Sequence, residues 1–194
     1  MFKYTMSNGG PLMYCSFNEF ITVIDSLSND IKIDLNYYIL KNNFLENHFL
    51  FYDTLYDKYA KPIFFLCNLK DQDIFMLKHI HIYGFYGKYF SHNDFLQMEL
   101  CLRLNENNTS LEVIKIHSGA KKRQGRGSLA LEFLEDSIIP YLNNKLKSVT
   151  NGYKINCIYG ISADLSDDTT RLDRAKFYYK NGFELINNHF YKYL

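Results

Sequence analysis

The sequence contains no tryptophan and carries almost no net charge. Its 194 residues include 22 Lys and Arg against 21 Asp and Glu, which gives a formal net charge of +1. Proteins that bind nucleic acids or membrane surfaces through general electrostatic attraction are basic overall. The charge balance argues against both classes, so we expect neither a nucleic-acid partner nor a membrane partner.

Long hydrophobic runs are also absent. The longest unbroken apolar run, residues 63–67, has five residues, whereas a helix that spans a bilayer needs ~20. The first ten residues contain no apolar segment of the kind that forms the centre of an export signal. These absences predict a cytoplasmic protein.

Cysteine is sparse, and no two cysteines have the C-x-x-C spacing. Zinc sites and small disulfide frameworks depend on closely spaced cysteines. We therefore expect reduced thiols, mostly buried, at all four positions: Cys15, Cys67, Cys101 and Cys157. His79 and His81 have the spacing of a two-ligand metal pair on a strand, but no third ligand lies nearby in the sequence. We expect no metal.

Hydrophobic residues make up 47% of the chain and charged residues 22%, which is ordinary for a globular protein. We expect one domain over 1–194, with a helical part at 1–61 and a sheet and ligand-binding part at 62–194. Ser16 and Glu19 fit a capping box, which predicts a helix start. A second helical region is predicted from about Asp34 to Tyr59.

From Pro62 the pattern changes to strands, predicted at 63–68, 74–83, 95–104 and 111–117. A loop at 118–127 precedes an amphipathic helix at 128–146, which Pro140 is expected to kink. A strand at 154–163, a helix at 170–181 and a hairpin at 183–185 and 189–193 complete the chain. This order predicts a mixed α/β (α+β) domain with a mostly antiparallel sheet.

The loop before the amphipathic helix contains Gly125 and Gly127 among basic residues. Glycines permit positive φ and close backbone approach, and the amides of a helix N-terminus bind anions. The pattern favours a phosphate or pyrophosphate ligand, but it matches neither a Walker loop nor a dinucleotide fingerprint. An exposed basic turn and an RNA-contacting patch are the alternative interpretations.

A second motif ends the last predicted helix: Tyr178, three further residues, Gly182 and Phe183. In this order and spacing, the two motifs resemble those of the GNAT family, the Gcn5-related N-acetyltransferases. That family usually has Q/R-x-x-G-x-G/A in the loop and Y-x-x-x-G-F at the helix end. The resemblance covers roughly residues 74–194. Lys122 stands where Gln or Arg is usual, and Arg171 stands where Asn is common.

The resemblance implies a central sheet with N-terminal helices, whose strands at 111–117 and 154–163 splay apart around acetyl-CoA. It implies that acetyl-CoA is a co-substrate, that no metal is needed, and that an amine attacks the thioester directly. The residues implied in cofactor binding are Ile116, His117, Ser118, Lys122, Arg123, Gln124, Gly125, Arg126, Gly127, Ser128, Arg171 and Arg174.

For catalysis, the resemblance implies that Tyr178 protonates the departing thiolate, because a phenol is protonated at neutral pH. Tyr179 is the alternative. We expect Arg171, Arg174 and Tyr178 to form one polar stripe of the helix. Leu172, Ala175 and Tyr179 are expected to form the adjacent stripe, packed on the core.

A base, or a chain of water molecules, must remove the amine's proton. Glu99 is the candidate, with Glu112 and His117 as alternatives. The identity of the acceptor is not predicted; it is an amine on a small molecule, peptide or protein. A non-catalytic sensor of acyl-CoA or CoA is the alternative function. A homodimer paired through the C-terminal hairpin is one open arrangement.

Overall fold

The computed structural model describes residues 4–5, 11–15, 22–23, 27–29, 31–32, 35, 48–70, 79–86, 95–105, 108–117, 125–150, 152–161, 168–187 and 189–194. Within these ranges ten strands form one sheet. The strands are β1 Tyr4–Thr5, β2 Pro11–Cys15, β3 His48–Tyr56, β4 Pro62–Lys70, β5 His79–Phe85, β6 Leu96–Asn105, β7 Asn108–His117, β8 Ile155–Ile161, β9 Glu184–Ile186 and β10 His189–Tyr193.

The strands follow the order β1-β2-β3-β4-β5-β6-β7-β8-β10-β9 across the sheet. Neighbouring strands pair antiparallel, except that β7 and β8 are parallel. A parallel pair needs a crossover connection, and the helices that follow the glycine loop supply it here. The mixed, mostly antiparallel class predicted from the sequence is confirmed.

The helices are α1 Arg126–Phe133, a π-helical segment Leu134–Ile138, α2 Ile139–Val149 and α3 Asp168–Lys180. The π-helical segment ends just before Pro140, whose ring would clash with the carbonyl of residue 136 in a regular α-helix. The wider π turn is the observed form of the irregularity that Pro140 predicted.

The prediction of a helix through Tyr59 is wrong, because residues 48–56 form β3. Phe51 packs in the cluster beneath α1 and α2, whereas Tyr52 packs in a second cluster with Ile31 and Leu35. Since these consecutive residues are buried on opposite faces, the apolar stretch at 49–52 lacks the alternation of a strand with one exposed face. Strands β1 and β2 were not predicted either, and the capping box at Ser16 and Glu19 lies outside the described residues.

Two apolar layers cover the sheet. The larger cluster joins β3–β8 and β10 to α1, the π-helical segment, α2 and Tyr178 of α3. The smaller one holds Ile31 and Leu35 against Phe64, Leu66 and Phe85 on the other face. Helical conformation at residues 22–23, 29, 31–32 and 35 agrees with the predicted N-terminal helices where the chain is described.

The described cysteine side chains are free and buried, at Cys67, Cys101 and Cys157. Burial raises the pKa of the Cys67 thiol far above its ordinary value, which keeps it protonated and unreactive. Across the described ranges, no helix is long and apolar enough to cross a bilayer.

Candidate functional site

The parallel strands β7 and β8 stop pairing next to a β-bulge in β7. Their register runs from Thr109 opposite Ile155 to Val113 opposite Gly160. On the other side of β7, Leu100 of β6 faces Val113 and Glu99 faces Lys115, so Ile114 is an extra residue. A bulge bends its strand and increases the local twist. Strand β7 continues from this point to His117, which pairs with Gln97.

This geometry leaves one edge of residues 114–117 without a partner strand among the described residues. Ile116 is half-buried there and His117 is exposed. Unpaired backbone N–H and C=O groups at such an edge hydrogen-bond extended ligands in the manner of an added strand. The open edge of β7 therefore offers backbone groups that can hydrogen-bond an extended chain that carries amide groups.

Tyr178 of α3 reaches the point where the strands part. A Cβ atom built on Gly160 would lie 2.5 Å from the Tyr178 hydroxyl oxygen and 2.9 Å from its Cζ. Real Cβ atoms do not approach other atoms this closely, so the position requires glycine. A glycine inside a strand indicates close approach by another group. This signal was present in the sequence at Gly160, but our sequence analysis did not use it.

The Tyr178–Phe183 motif is a helix C-cap. Gly182 has φ 81°, and its N–H donates to the carbonyl of Tyr179 at 3.1 Å. The N–H of Phe183 donates to the carbonyl of Tyr178 at 3.1 Å. These two bonds, with a left-handed glycine between them, define the Schellman motif, and the ring contact of Phe183 with Tyr178 at 5.0 Å is its usual apolar contact. The motif thus orients Tyr178 through the helix end itself.

Aromatic rings surround Tyr178, which is 5% exposed. Phe190 of β10 stacks on it with ring centroids 4.5 Å apart, and Phe177 meets it edge-on at 5.3 Å. Burial raises the pKa of Tyr178 above its ordinary value of 10.0, and the nearby charge of Arg174 opposes this rise. The phenol is therefore protonated at neutral pH and is suited to donate a proton.

The two stripes predicted for α3 need correction. Leu172 is 58% exposed and Tyr179 is 54% exposed, so neither packs on the core, although Ala175 does. Tyr178 lies on the core side of the helix, and Arg174 is half-buried. The apolar face runs through residues 175, 177 and 178, because α3 meets both α1 and the sheet. Arg171 lies in α3, but its side chain is outside the described part of the structure.

The helix α1 begins beside the same cleft. Gly125, at its N-cap, has φ 80°, and no side chain caps the first turn. A Cβ on Gly127 would lie 2.9 Å from Cε2 of Phe177 and 3.6 Å from Cγ2 of Ile116. Both glycines therefore have conformational or packing reasons to be glycine, and Ser128 is half-buried. Ser118, Lys122, Arg123 and Gln124 lie outside the described residues.

Arg126 differs from the exposed cation expected of a basic loop. It is 4% exposed, and its guanidinium carbon lies 3.5 Å from the ring centroid of Tyr86. Among the described residues, its Nε and Nη1 atoms have no hydrogen-bond partner. Its charge is thus beneath the surface, which weakens the interpretation of this loop as an RNA-contacting patch.

The two candidate carboxylates lie at different distances from the cleft along the sheet. Glu99 of β6 lies 3.2 Å from Nδ1 of His79 and faces Lys115 of β7. Because β7 separates β6 from β8, Glu99 lies one strand further from the cleft than Glu112 does. Glu99 also has a partner on its own side of the sheet, as a surface carboxylate commonly does.

Glu112 lies next to the parting point. It faces Tyr159 of β8, one residue before the Val113–Gly160 pair. It is 6% exposed, and its Oε2 atom accepts a hydrogen bond of 2.7 Å from Nε of Arg103. Arg103, on the neighbouring strand β6, thus pairs with Glu112. Glu112 is therefore the carboxylate that the fold brings to the cleft.

His79 and His81 lie on one face of β5 with ring centroids 6.4 Å apart. In the part of the chain that is described, no group of three or more His, Cys, Asp or Glu side chains is arranged to hold a metal ion. The described groups at the cleft include the phenol of Tyr178, the carboxylate of Glu112 and the backbone amides of β7 and α1.

No protein-family model matches the sequence, and no curated protein is significantly similar to it. The functional argument consequently depends on the motifs and on the geometry of the cleft.

Proposed function

We propose that this protein is an acetyl-CoA-dependent N-acetyltransferase of the GNAT type. The observation that carries the proposal is the contact of the Tyr178 hydroxyl with Gly160, at the last pair before β7 and β8 separate. Two sequence motifs resembling those of GNAT proteins meet here, since Phe177, beside Tyr178, packs on Gly127 of the glycine loop. Motifs that are more than 40 residues apart in the sequence thus belong to one site.

The cleft suits the three chemical parts of acetyl-CoA. The open edge of β7 from Ile114 to His117 offers backbone groups to the amides of the pantetheine arm. The free amides at the start of α1, after the left-handed Gly125, suit the diphosphate. The expected contributions of Ser118, Lys122, Arg123, Gln124, Arg171 and Arg174 remain part of this proposal.

Acetyl-CoA supplies an activated acetyl thioester, whose C–S bond breaks as the acceptor's C–N bond forms. The amine loses one proton in this exchange, and the departing thiolate gains one. Tyr178 is the proposed donor, because its buried phenol is neutral and lies where the strands part. Glu112 takes the place of Glu99 as the proposed group that orients the amine and receives its proton.

The direct test is release of CoA thiol from acetyl-CoA in the presence of a panel of primary amines. The panel includes small polyamines, amino acids, and peptides with free N-termini or lysines. Turnover that depends on one class of amine supports the proposal and identifies the acceptor. Binding of acetyl-CoA without turnover for any amine would contradict the enzyme and favour the non-catalytic sensor.

Tyr178→Phe and Tyr179→Phe are a matched pair for this assay. Both remove one hydroxyl from α3, but only the first removes it from the cleft, since Tyr179 is exposed. Loss of turnover in Tyr178→Phe alone is the expected result. Equal activity of the two variants would show that the phenol is not the proton donor.

A further inference from the structure

Strand β9 forms the C-terminal edge of the sheet, because β10 lies between β8 and β9. All three residues of β9 are exposed, and Leu185 and Ile186 are 46% and 39% exposed. Neighbouring residues of a strand point to opposite faces, so this edge exposes an apolar side chain on each face of the sheet. Among the described residues, no strand pairs with the outer side of β9. An unpaired apolar edge is a template for pairing with another strand.

Helix α3 extends this apolar surface on the helix-covered face. Leu185 lies opposite Phe190 in the register of β9 and β10, and the Tyr179 ring meets the Phe190 ring edge-on with centroids 5.8 Å apart. Tyr179 is 54% exposed, and Leu172, which lies about two turns earlier in α3, is 58% exposed. Residues with this spacing lie on the same side of a helix. Leu172, Tyr179 and Leu185 therefore form one exposed surface, the α3–β9 surface.

The charged residues along the exposed side of α3 differ in sign between its two ends. Asp173 is exposed next to Leu172. Lys176 and Lys180 are exposed near Tyr179. A second copy of the helix, running in the opposite direction, would place its lysines near Asp173 and its tyrosine near Leu172. Two-fold symmetry makes each such contact occur twice, so the α3–β9 surface is complementary to itself in charge.

We propose that the protein forms a two-fold symmetric homodimer in which β9 pairs antiparallel with β9 of a second copy. The two sheets then continue into each other, and the two α3 helices lie on the same face, one on each side of the joint. Pairing supplies partners for the outward backbone groups of β9, and it covers Leu185 and Ile186 on opposite faces. The exposed side chains of α3 meet above the joint with opposite charges matched.

A second copy fits this surface better than a peptide of another protein does. A single added strand covers β9 but leaves Leu172 and Tyr179 exposed, because both belong to the helix. A second copy brings its own α3 together with its own β9. The sequence left the whole C-terminal hairpin open as a dimer contact, and the sheet order assigns this contact to β9 rather than β10. The inference does not depend on acetyl transfer, because the cleft lies between β7 and β8.

The test is sedimentation velocity of the purified protein from about 1 to 50 µM, a range that covers micromolar dissociation constants. The wild type should sediment as a dimer at the upper concentrations. Leu185→Lys puts a charge into the joint from both copies, so its dimer dissociation constant should rise by about 100-fold or more. Val149→Lys is the matched control, because Val149 is 50% exposed at the end of α2 and belongs to neither α3 nor β9. It should dimerise like the wild type.

Two charge-reversal variants test the matched charges, and they decide the question if Leu185→Lys does not fold. Asp173→Lys and Lys180→Asp each set like charges against one another in both contacts of the dimer. Each should therefore dimerise about 10-fold more weakly than the wild type. An equimolar mixture of the two variants should recover most of the wild-type affinity, because each copy then meets opposite charges on the other. A defect within one chain would not be repaired by mixing.

Three results would overturn the proposal. A wild type that remains a monomer at about 50 µM would mean that a second copy does not cover the edge. A Leu185→Lys dimer as strong as the wild-type dimer would place the contact elsewhere on the molecule. A mixture of Asp173→Lys and Lys180→Asp that associates as weakly as either variant alone would contradict the antiparallel arrangement of α3.

Discussion

The two faces of the sheet differ sharply at the point where β7 and β8 part. On the helix-covered face, Tyr178 lies among Phe177, Phe183 and Phe190, with its hydroxyl against a glycine. On the opposite face, one residue back, Glu112 is held by Arg103 and faces Tyr159. One face thus presents a phenol in apolar surroundings, and the other presents a carboxylate with polar partners.

If Tyr178 donates a proton and Glu112 receives one, as we propose, the fold keeps the two groups on opposite faces of the sheet. Burial favours the neutral form of the Tyr178 phenol, while the Glu112 carboxylate accepts a hydrogen bond from Arg103. The backbone of the sheet separates the two groups. The proposed function requires a ligand at the parting point to reach both groups, because proton transfer occurs at both the amine and the thiolate.

The largest effect is expected from filling the glycine on the helix face. Gly160→Ala puts a methyl group 2.5 Å from the Tyr178 hydroxyl, so the ring must move. Overpacking of this kind costs about 1–3 kcal/mol of stability, and the acid is displaced as well. Thermal unfolding and the acetyl-transfer assay measure both effects. The double variant Gly160→Ala/Tyr178→Phe should lose less than the sum of the single losses in stability, and strictly additive losses would contradict the contact.

The second-largest effect is expected from removing the Tyr178 hydroxyl alone. Tyr178→Phe keeps the ring packing on Phe183 and Phe190 but removes the proton donor, so turnover should fall by about 100-fold or more while acetyl-CoA affinity changes little. Tyr179→Phe is the control, because that hydroxyl is exposed. Steady-state kinetics and a binding assay distinguish the two effects. A loss confined to affinity would mean that Tyr178 only shapes the cleft.

The opposite face is tested by Glu112→Gln, with Glu99→Gln as its control. We expect Glu112→Gln to slow turnover by about 10-fold or more, with the smaller losses at the highest pH, where more of the free amine is already deprotonated. Glu99→Gln should change little, because Glu99 pairs with His79 beyond β7. The pH dependence of turnover provides the measurement. A larger loss of turnover in Glu99→Gln than in Glu112→Gln would indicate that Glu99, and not Glu112, receives the proton.

The smallest effect concerns stability at alkaline pH. Burial raises the pKa of Tyr178 above 10.0, so its neutral form stabilises the fold fully below about pH 10. That contribution is lost as the pH rises through the folded-state value. Tyr178→Phe lacks this group, and its stability should therefore fall less than that of the wild type between pH 9 and pH 11. The measurement is the free energy of unfolding from denaturant titrations at each pH. If it falls equally with pH in the wild type and Tyr178→Phe, the phenol is solvated.

Local signals in the sequence predicted much of the C-terminal half. Gly182 identified the end of α3 correctly, because a left-handed residue after a helix favours glycine. The strand predicted at 95–104 is also present as β6, where apolar residues alternate with polar ones and Met98 and Leu100 are 1% and 0% exposed. These features depend on residues close together in the chain, which is why a single sequence reveals them.

Features that depend on distant contacts were missed. Strand β3 looked helical because the neighbouring residues Phe51 and Tyr52 are both apolar and are buried on opposite faces, which interrupts the alternation that indicates a strand. The bulge at Ile114 shifts the register between β6 and β7, and this shift determines which carboxylate meets Arg103. The burial of Arg126 depends on Tyr86, which lies 40 residues earlier in the sequence.

The central claim is that the cleft between β7 and β8 binds acetyl-CoA. Thermal unfolding of the wild-type protein with acetyl-CoA, and with ATP and NAD as controls, tests it most directly. Acetyl-CoA at 100 times its dissociation constant should add about 2.7 kcal/mol of stability and raise the midpoint, while ATP and NAD should shift it much less. An unchanged midpoint at millimolar acetyl-CoA would contradict the account.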